Sequence, residues 1–352
     1  MKDAIRILSI DGGGIRGIIP AMVIQALLGD LKAQDVFHII AGTSTGGIIA
    51  CGLAKPDPID LQDIIDLYVK HGSEIFKKGL IDCSHYVYRP RYAATALEHF
   101  LASELGGTYL SEVKNVELLV PSYAIELPKE QPQGSTCAPM FFRSWQARGL
   151  LLGENAKSDE YDFKLDSIAR ATSAAPTYFP PAAIMNKAGQ SFTMIDGGVF
   201  ANNPAMCAIV EAYHLYHSTK FMVVSIGTGS EPINLNFATA SSWGDVRWAL
   251  PMMSIFMEGS SQTVAVEAAE LLGDYHWRLD VPLTTETPEG ETVNPQMDDA
   301  SPANIQALIN KAKQLIDAER DRIQDLGKVL AEPKAVLQPK TSKPKKGFLL
   351  SS

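Results

Sequence analysis

Short apolar runs alternate with segments of helical periodicity along most of the chain. Apolar runs of strand length predict strands at residues 5–10, 36–41, 117–125, 140–145, 192–195, 221–226 and 275–281. Apolar positions at helical spacing predict helices at residues 18–31, 59–71, 91–105, 168–175 and 301–323, with others after residues 46 and 204. Strands that alternate with helices are typical of parallel sheets. We therefore predict an α/β fold in which helices flank both faces of a mainly parallel central sheet.

Composition narrows the class of protein. Of the 352 residues, 46% are hydrophobic, which is enough for one large core or two small ones. Only 20% are charged, so the chain is globular and not disordered. Acidic residues outnumber basic ones by 40 to 31, a net charge of −9. Nucleic acid is excluded as a main partner, because phosphate binding requires a basic face.

The cysteines and the apolar runs indicate the cellular compartment of the protein. No apolar run approaches the ~18 residues that a transmembrane helix requires, and the first residues are not typical of a signal peptide. The four cysteines are far apart and form no paired motif, so they predict neither a disulfide framework nor a metal site. We expect a cytoplasmic protein without metal or other cofactor.

The C-terminal residues differ in character from the rest. From Pro333 onward the sequence has five lysines, three prolines and no acidic residue. We predict one domain over residues 1–325 and a basic, disordered tail over residues 326–352. An alternative is that this tail anchors weakly to anionic lipid through its lysines and the apolar residues 348–350.

A glycine-flanked serine lies at a predicted strand-to-helix turn. The sequence Gly-Thr-Ser-Thr-Gly at residues 42–46 has the form of the nucleophile elbow of serine hydrolases, with Ser44 at its apex. Glycines at either side remove side chains that would clash in so tight a turn. An ordinary helix-entry turn has similar residues, so the motif alone leaves both interpretations open.

A glycine-rich loop follows the first predicted strand, at residues 11–17. Its Gly-x-Gly-x-x-Gly spacing fits a dinucleotide-binding turn, but that fold needs an acidic residue at the end of the second strand, where this chain has none. Alternatively, the amides of Gly12, Gly13 and Gly14 form an oxyanion hole at a helix N-terminus. Arg16 in this loop could add positive charge there, but we expect it to be a solvated residue of the first helical turn.

A serine nucleophile needs a base, and none of the seven histidines lies at a turn-rich strand end. Asp196 does, since it ends an apolar strand and precedes two glycines. By itself this tripeptide is also typical of an Asx turn. An aspartate with the reference pKa of about 3.9 is a poor base, but burial beside apolar neighbours would raise that pKa. Asp196 is therefore the preferred base for Ser44.

Together these motifs resemble the patatin-like phospholipase family, whose pattern they follow in order over residues 5–320. The resemblance lies in the motifs at residues 11–17, 42–46, 172–180, 196–198, 225–229 and 297–301. It implies a three-layer sandwich and a Ser–Asp dyad, with Ser44 as nucleophile and Asp196 as general base. It also implies an oxyanion hole at residues 12–14. The sequence Asp-Gly-Gly-Val-Phe-Ala-Asn-Asn-Pro at 196–204 departs from the Asp-Gly-Ala of plant patatins, which favours the bacterial type.

The resemblance further implies a phospholipase A or lysophospholipase activity on membrane phospholipids, with peripheral contact at the membrane surface. Residues 250–257 are candidates for the wall or gate of an acyl channel. Some bacterial members are activated by cyclic nucleotides in antiphage defence, so such an activator is an open expectation. Two other functions stay open: a dinucleotide-dependent oxidoreductase, and a non-catalytic lipid-binding protein on the same fold.

Overall fold

The computed structural model describes residues 3–77, 89–128, 137–230, 235–283, 290 and 292–341. Its framework is an eight-stranded sheet. The strands are β1 Ile5–Ile10, β2 Ile39–Gly42, β3 Glu117–Glu126, β4 Ala138–Arg143, β5 Ala182–Met185, β6 Ser191–Asp196, β7 Phe221–Ile226 and β8 His276–Leu279.

The strand order is β5-β6-β3-β2-β1-β7-β8, and β4 pairs with β3. The pairings among β3, β2, β1, β7 and β8 are all parallel. In contrast, β4 and β6 run antiparallel to β3, and β5 runs antiparallel to β6. The predicted mainly parallel sheet is confirmed, and an antiparallel extension that the sequence analysis did not foresee completes it.

Helices cover both faces of the sheet. They are α1 Ile18–Leu28, α2 Ala33–Val36, α3 Thr45–Ala54, α4 Leu61–Asp66, α5 Gly72–Ile75, α6 Thr95–Leu105, α7 Ser144–Ala147, α8 Leu165–Thr172, α9 Gly198–Ala201, α10 Ala205–Tyr216, α11 Phe237–Ala240, α12 Asp245–Leu272, α13 Pro302–Ala318 and α14 Arg320–Ala331. A π-helical turn, Leu67–His71, follows α4. None of the helices in the described ranges combines the length and apolar character that crossing a membrane requires.

Side chains of β1 alternate between two cores, as the pleat of a strand requires. Ile5 and Ile7 pack with Ala208 and Ile209 of α10 on one face. Leu8 and Ile10 belong to the larger core on the other face, which α1, α3, α6, α8, α13 and α14 complete. These four apolar side chains of β1 are fully buried. The three-layer arrangement follows, because a central strand that is apolar on both sides needs helices on both.

Several predicted boundaries are wrong at their ends. Helix α1 stops at Leu28 because Gly29, at φ 53°, leaves the helical region. The second strand begins at Ile39, since α2 takes the residues before it. The helix predicted at 301–323 ends at Ala318, and α14 begins after Glu319, whose φ and ψ are −101° and 17°.

The predicted disordered tail from residue 326 is wrong as far as residue 341. Helix α14 continues to Ala331, and residues 332–341, here called the C-terminal strap, then dock on the domain. The Lys334 ammonium group donates hydrogen bonds of 2.6, 2.7 and 3.0 Å to the carbonyls of Gln34, Phe37 and Asn115. Residues 342–352, including most of the proposed lipid anchor, lie outside the described residues.

Candidate active site

Ser44 lies at the turn between β2 and α3 in a strained backbone conformation. Its φ of 53° and ψ of −122° are values that a residue with a side chain rarely adopts. The Ser44 N–H donates a 2.9 Å hydrogen bond to Thr172 Oγ1, and Thr172 Oγ1 donates at 2.7 Å to the Pro121 carbonyl. The turn is thus attached to α8 and β3, which hold the serine in this conformation.

Ser44 and Asp196 form a buried pair. The Ser44 hydroxyl donates a 2.6 Å hydrogen bond to Asp196 Oδ2, and the Gly198 N–H donates at 2.7 Å to Asp196 Oδ1. Asp196 is completely buried and Ser44 is 6% exposed. The structure therefore brings together the two residues that the sequence analysis selected as nucleophile and base.

Asp196 arrives at this position by an unexpected path. The sequence analysis expected a mainly parallel sheet, but β6, which ends at Asp196, runs antiparallel to β3. Strand β3 extends beyond its pairing with β2, where Leu119 is opposite Ala41, and Ser122 is then opposite Asp196. Strand β6 runs back along this extension of β3 toward β2. Its last residue, Asp196, therefore lies beside the turn that follows β2.

Burial controls the charge of Asp196. Removal from water raises the pKa of the Asp196 carboxyl to about 7, although the hydrogen bonds from Ser44 and Gly198 oppose the rise. A carboxylate with a pKa near neutrality is a much better proton acceptor than an exposed one. The site thus meets the requirement that the sequence analysis set for an aspartate base.

The glycine loop lies against the serine. A Cβ atom on Gly12 would lie 3.2 Å from Ser44 Cβ, so the two backbones approach closely. The Gly12 N–H, however, donates to the Asn202 carbonyl at 3.1 Å and is not available to a substrate. Within the described ranges, the Gly13 and Gly14 amides have no such backbone partner. Of the three amides predicted for the oxyanion hole, that of Gly12 is therefore engaged, and those of Gly13 and Gly14 stay candidates.

Two charged residues of this loop are buried. Asp11 accepts a 2.8 Å hydrogen bond from Arg278, which also contacts Asp280 at 3.0 Å. This ion pair connects the loop to the end of β8. Arg16 is only 9% exposed, and its Nε contacts the Gly13 carbonyl at 3.4 Å. The expectation that Arg16 is solvated is wrong, since the loop folds it inward.

Two cavities adjoin the dyad. A narrow apolar cavity of about 60 Å³ contains Ser44 and Asp196 and has mainly aliphatic, aromatic and methionine side chains as its walls. A larger cavity of about 870 Å³, here called the polar cavity, is lined by Asp11, Asn202 and four arginines together with apolar side chains. Tyr178, Met257 and Met297 line both cavities, so the two meet there. One site thus offers an apolar and a polar compartment.

The segment proposed as an acyl-channel wall or gate, residues 250–257, is part of α12. Met253 and Met257 line the apolar cavity. Phe256 does not, and it is 51% exposed. The methionines therefore lie where the sequence analysis expected them, whereas Phe256 points away, because adjacent helical residues lie about 100° apart around the axis.

Sequence reasoning missed two residues that shape this centre. Thr172 Oγ1 accepts a hydrogen bond from the Ser44 N–H, and Asn202 Nδ2 contacts the Gly12 carbonyl of the glycine loop. Thr172 begins the motif at 172–180 that carried the family resemblance, and Asn202 lies in the sequence at 196–204 that departs from plant patatins; these positions were the available signal. His38, one of the seven histidines that were set aside as bases, is buried, and its Nδ1 accepts a hydrogen bond from the Arg6 N–H.

Comparisons with known proteins agree with this architecture. A family profile described as "Patatin-like phospholipase" matches residues 8–209, more than half of the chain. Patatin-04/09 of Solanum tuberosum is 29% identical over 90% of this chain and 84% of its own length. Patatin-like protein 1 of Oryza sativa subsp. indica is 30% identical over 94% of this chain and 86% of its own.

Among solved structures, VipD from Legionella pneumophila aligns with 90% of this chain and 67% of its own, at 12% identity and a TM-score of 0.32. That likeness is weak, and family membership rests on the sequence matches. The two relatives named above are plant proteins, so the bacterial type stays a prediction. The chain belongs to the patatin-like phospholipase family, and it is therefore a lipid acyl hydrolase.

Proposed function

We propose that the protein is a serine hydrolase that cleaves acyl esters of membrane phospholipids through the Ser44–Asp196 dyad. The observation that carries this proposal is the 2.6 Å hydrogen bond between the two side chains, buried at a strained turn. Three features support it: the raised pKa of Asp196, the adjoining glycine loop and the apolar cavity.

In the acylation step, Asp196 accepts the Ser44 proton while Oγ attacks the ester carbonyl carbon. The negative charge that develops on the carbonyl oxygen is stabilised by the amides of Gly13 and Gly14, a contribution of about 3 kcal/mol for each donor in comparable sites. Asp196 then gives its proton to the departing alcohol. An acyl-enzyme remains on Ser44.

The two cavities suggest how a lipid is oriented. The first carbons of the acyl chain occupy the apolar cavity beside Met253 and Met257, while the head group faces the polar cavity. The ester then lies where the two cavities meet, close to Ser44. This division of the lipid between the two cavities fits a phospholipase A or lysophospholipase that acts at the membrane surface. The acyl position that is cut then depends on how deeply each chain enters the apolar cavity.

Substitution of the dyad tests this function. Ser44→Ala and Asp196→Asn are each expected to lower hydrolysis of phospholipid vesicles by at least about 10³-fold. Labelling of Ser44 by a fluorophosphonate probe, located by peptide mass spectrometry, would distinguish the enzyme from a non-catalytic lipid-binding protein. Ser103→Ala, which alters an exposed serine on α6, is the matched control. A folded Ser44→Ala protein with full activity would falsify the mechanism.

Activation by a cyclic nucleotide, as in antiphage defence, is a finer part of the proposal. Its support is the resemblance to bacterial members alone. Vesicle hydrolysis measured with and without a panel of cyclic mononucleotides and dinucleotides tests it. Activity that is equal in every arm would remove this part and leave the hydrolase proposal unaffected.

A further inference from the structure

One buried polar atom beside the dyad has no hydrogen-bond partner among the residues that the structure describes. Asn202 is 4% exposed, and its Oδ1 accepts no hydrogen bond from them. The other groups of this residue are all engaged. Its Nδ2 donates to Ser261 Oγ at 2.8 Å and to the Gly12 carbonyl at 3.4 Å, and its backbone carbonyl accepts from the Gly12 N–H.

The orientation of the Asn202 amide follows from these contacts. A carbonyl oxygen can only accept a hydrogen bond, so the group that faces the Gly12 carbonyl must be the donor Nδ2. The acceptor Oδ1 then points away from that contact. Buried acceptors are rarely left unpaired, and those that are unpaired concentrate at functional sites. Asn202 Oδ1 is therefore a candidate acceptor for a donor that enters the site during the reaction.

Asn202 Oδ1 lies close to both dyad residues. A Cβ atom on Gly198 would lie 3.0 Å from Asp196 Oδ1 and 3.1 Å from Asn202 Oδ1. A Cβ atom on Gly12 would meet Asn202 Oδ1 and, at 3.2 Å, Ser44 Cβ. Because neither glycine has a side chain, neither residue screens the unpaired oxygen from the dyad.

We propose that Asn202 positions the water that hydrolyses the acyl-enzyme, with Oδ1 accepting one of its hydrogen atoms while Asp196 accepts the other. The proposal rests on the proposed dyad function. Asn202 also lines the polar cavity, from which water can enter while the acyl chain fills the apolar one. An acceptor is what such a water needs, since both of its hydrogens must be directed away from the lone pair that attacks.

Every bond that forms or breaks in the deacylation step is then accounted for. The water oxygen attacks the acyl carbon, and its proton passes to the Asp196 carboxylate. The tetrahedral intermediate collapses, the bond between the acyl carbon and Ser44 Oγ breaks, and Oγ recovers the proton from Asp196. A free fatty acid leaves, and both side chains return to their starting states. Asn202 gains and loses no proton, because it only holds the water.

The test separates acylation from deacylation in the full-length protein. Acylation is measured as the rate of fluorophosphonate labelling, and deacylation as the decay of a preformed acyl-enzyme followed by intact-protein mass spectrometry. Asn202→Ala is expected to slow the decay on the order of 100-fold while labelling changes less than about threefold. Hydroxylamine, a stronger nucleophile than water, is expected to restore turnover.

A matched control is the neighbouring residue. Asn203 Oδ1 accepts from Ser9 Oγ at 3.3 Å and from the Ala205 N–H at 3.0 Å, so Asn203→Ala removes a buried amide without facing the dyad. It is expected to lower the melting temperature and to leave the ratio of the two rates unchanged. Asn202→Ser is the milder second variant if Asn202→Ala does not fold, with the same expected pattern.

Three results discriminate between the ideas. Equal losses in labelling and in decay would show that Asn202 only supports the Gly12 loop, and they would overturn the proposal. Unchanged decay in a folded variant would overturn it as well. Absence of labelling in the unsubstituted protein would instead refute the dyad function on which the proposal rests.

Discussion

A Cβ atom on Gly42 would lie 2.1 Å from the carbonyl oxygen of Gly46. The two glycines that flank Ser44 thus face each other across the turn, and the turn closes only because one of them has no side chain. Gly46 is equally confined, since its own Cβ would lie 2.3 Å from the Ile10 carbonyl. The pattern around the serine is therefore a packing requirement of β1, β2 and α3.

Gly42→Ala is expected to abolish ester hydrolysis, because the turn must open to admit the methyl group and Ser44 then leaves Asp196. We also expect a loss of stability of about 2 kcal/mol or more, as for other overpacked cores. Activity on a soluble p-nitrophenyl ester and the urea midpoint measure the two effects. Gly259→Ala on α12 has open space around it; it should retain activity and gain up to about 1 kcal/mol from helix propensity. Wild-type activity in Gly42→Ala would contradict the packing argument.

Activity should increase as the pH rises through about 7. Only the ionised carboxylate accepts the Ser44 proton, and burial raises the pKa of Asp196 to about 7. Below that pH the carboxyl is protonated, so kcat/KM should fall about tenfold for each further pH unit. A pH profile from 5 to 9 with a soluble ester measures this. A profile that stays flat down to pH 5 would show that the carboxylate keeps an ordinary pKa.

A charge in the apolar cavity should discriminate between substrates by chain length. Met253 lines this cavity, so Met253→Lys places an ammonium group where a long acyl chain would lie. We expect hydrolysis of a long-chain p-nitrophenyl ester to fall at least about tenfold relative to a butyryl ester. Phe256→Lys, on the same helix but outside the cavity, is the control and should leave the ratio unchanged. Equal effects on both esters would argue against the acyl assignment.

The C-terminal strap should contribute to stability without affecting the reaction. Lys334→Met removes three hydrogen bonds to backbone carbonyls, and we expect a loss of about 2 kcal/mol in the free energy of unfolding. These carbonyls lie before β2 and β3, whereas Ser44 follows β2, so activity at low temperature should persist. Lys340→Met is the control, because its recorded contact is through the backbone N–H. An unchanged urea midpoint in Lys334→Met would show that the strap is dispensable.

Much of the candidate site could be predicted because its constraints are local. Ser44 needs glycines within two residues on either side, and such a requirement is visible in any single sequence. The same holds for the Asp-Gly-Gly at residues 196–198, where the Gly198 N–H binds the Asp196 carboxyl two residues earlier. The strands around these motifs were equally recognisable from the sequence. Strand β1 is apolar at all but two positions, and β7 is apolar at all but one.

The direction of the strands and the pairing of distant segments could not be predicted from local sequence. The sequence near β6 contains nothing that makes it antiparallel to β3, because that partner lies about 70 residues earlier in the chain. The Gly12 N–H donates to the carbonyl of Asn202, which is 190 residues away. Lys334 docks on carbonyls about 300 residues earlier. Such contacts depend on which surfaces meet when the sheet assembles, and local propensity carries no information about that.

The chain by itself thus determined a nucleophile turn, a base at a strand end and a helix-covered sheet, since each follows from backbone geometry or apolar periodicity over a few residues. Tertiary structure decided that Ser44 and Asp196 meet, which glycine amides remain available, and that an apolar and a polar cavity join beside them. The physical reason is that burial and hydrogen bonding between distant segments exist only once the layers have packed.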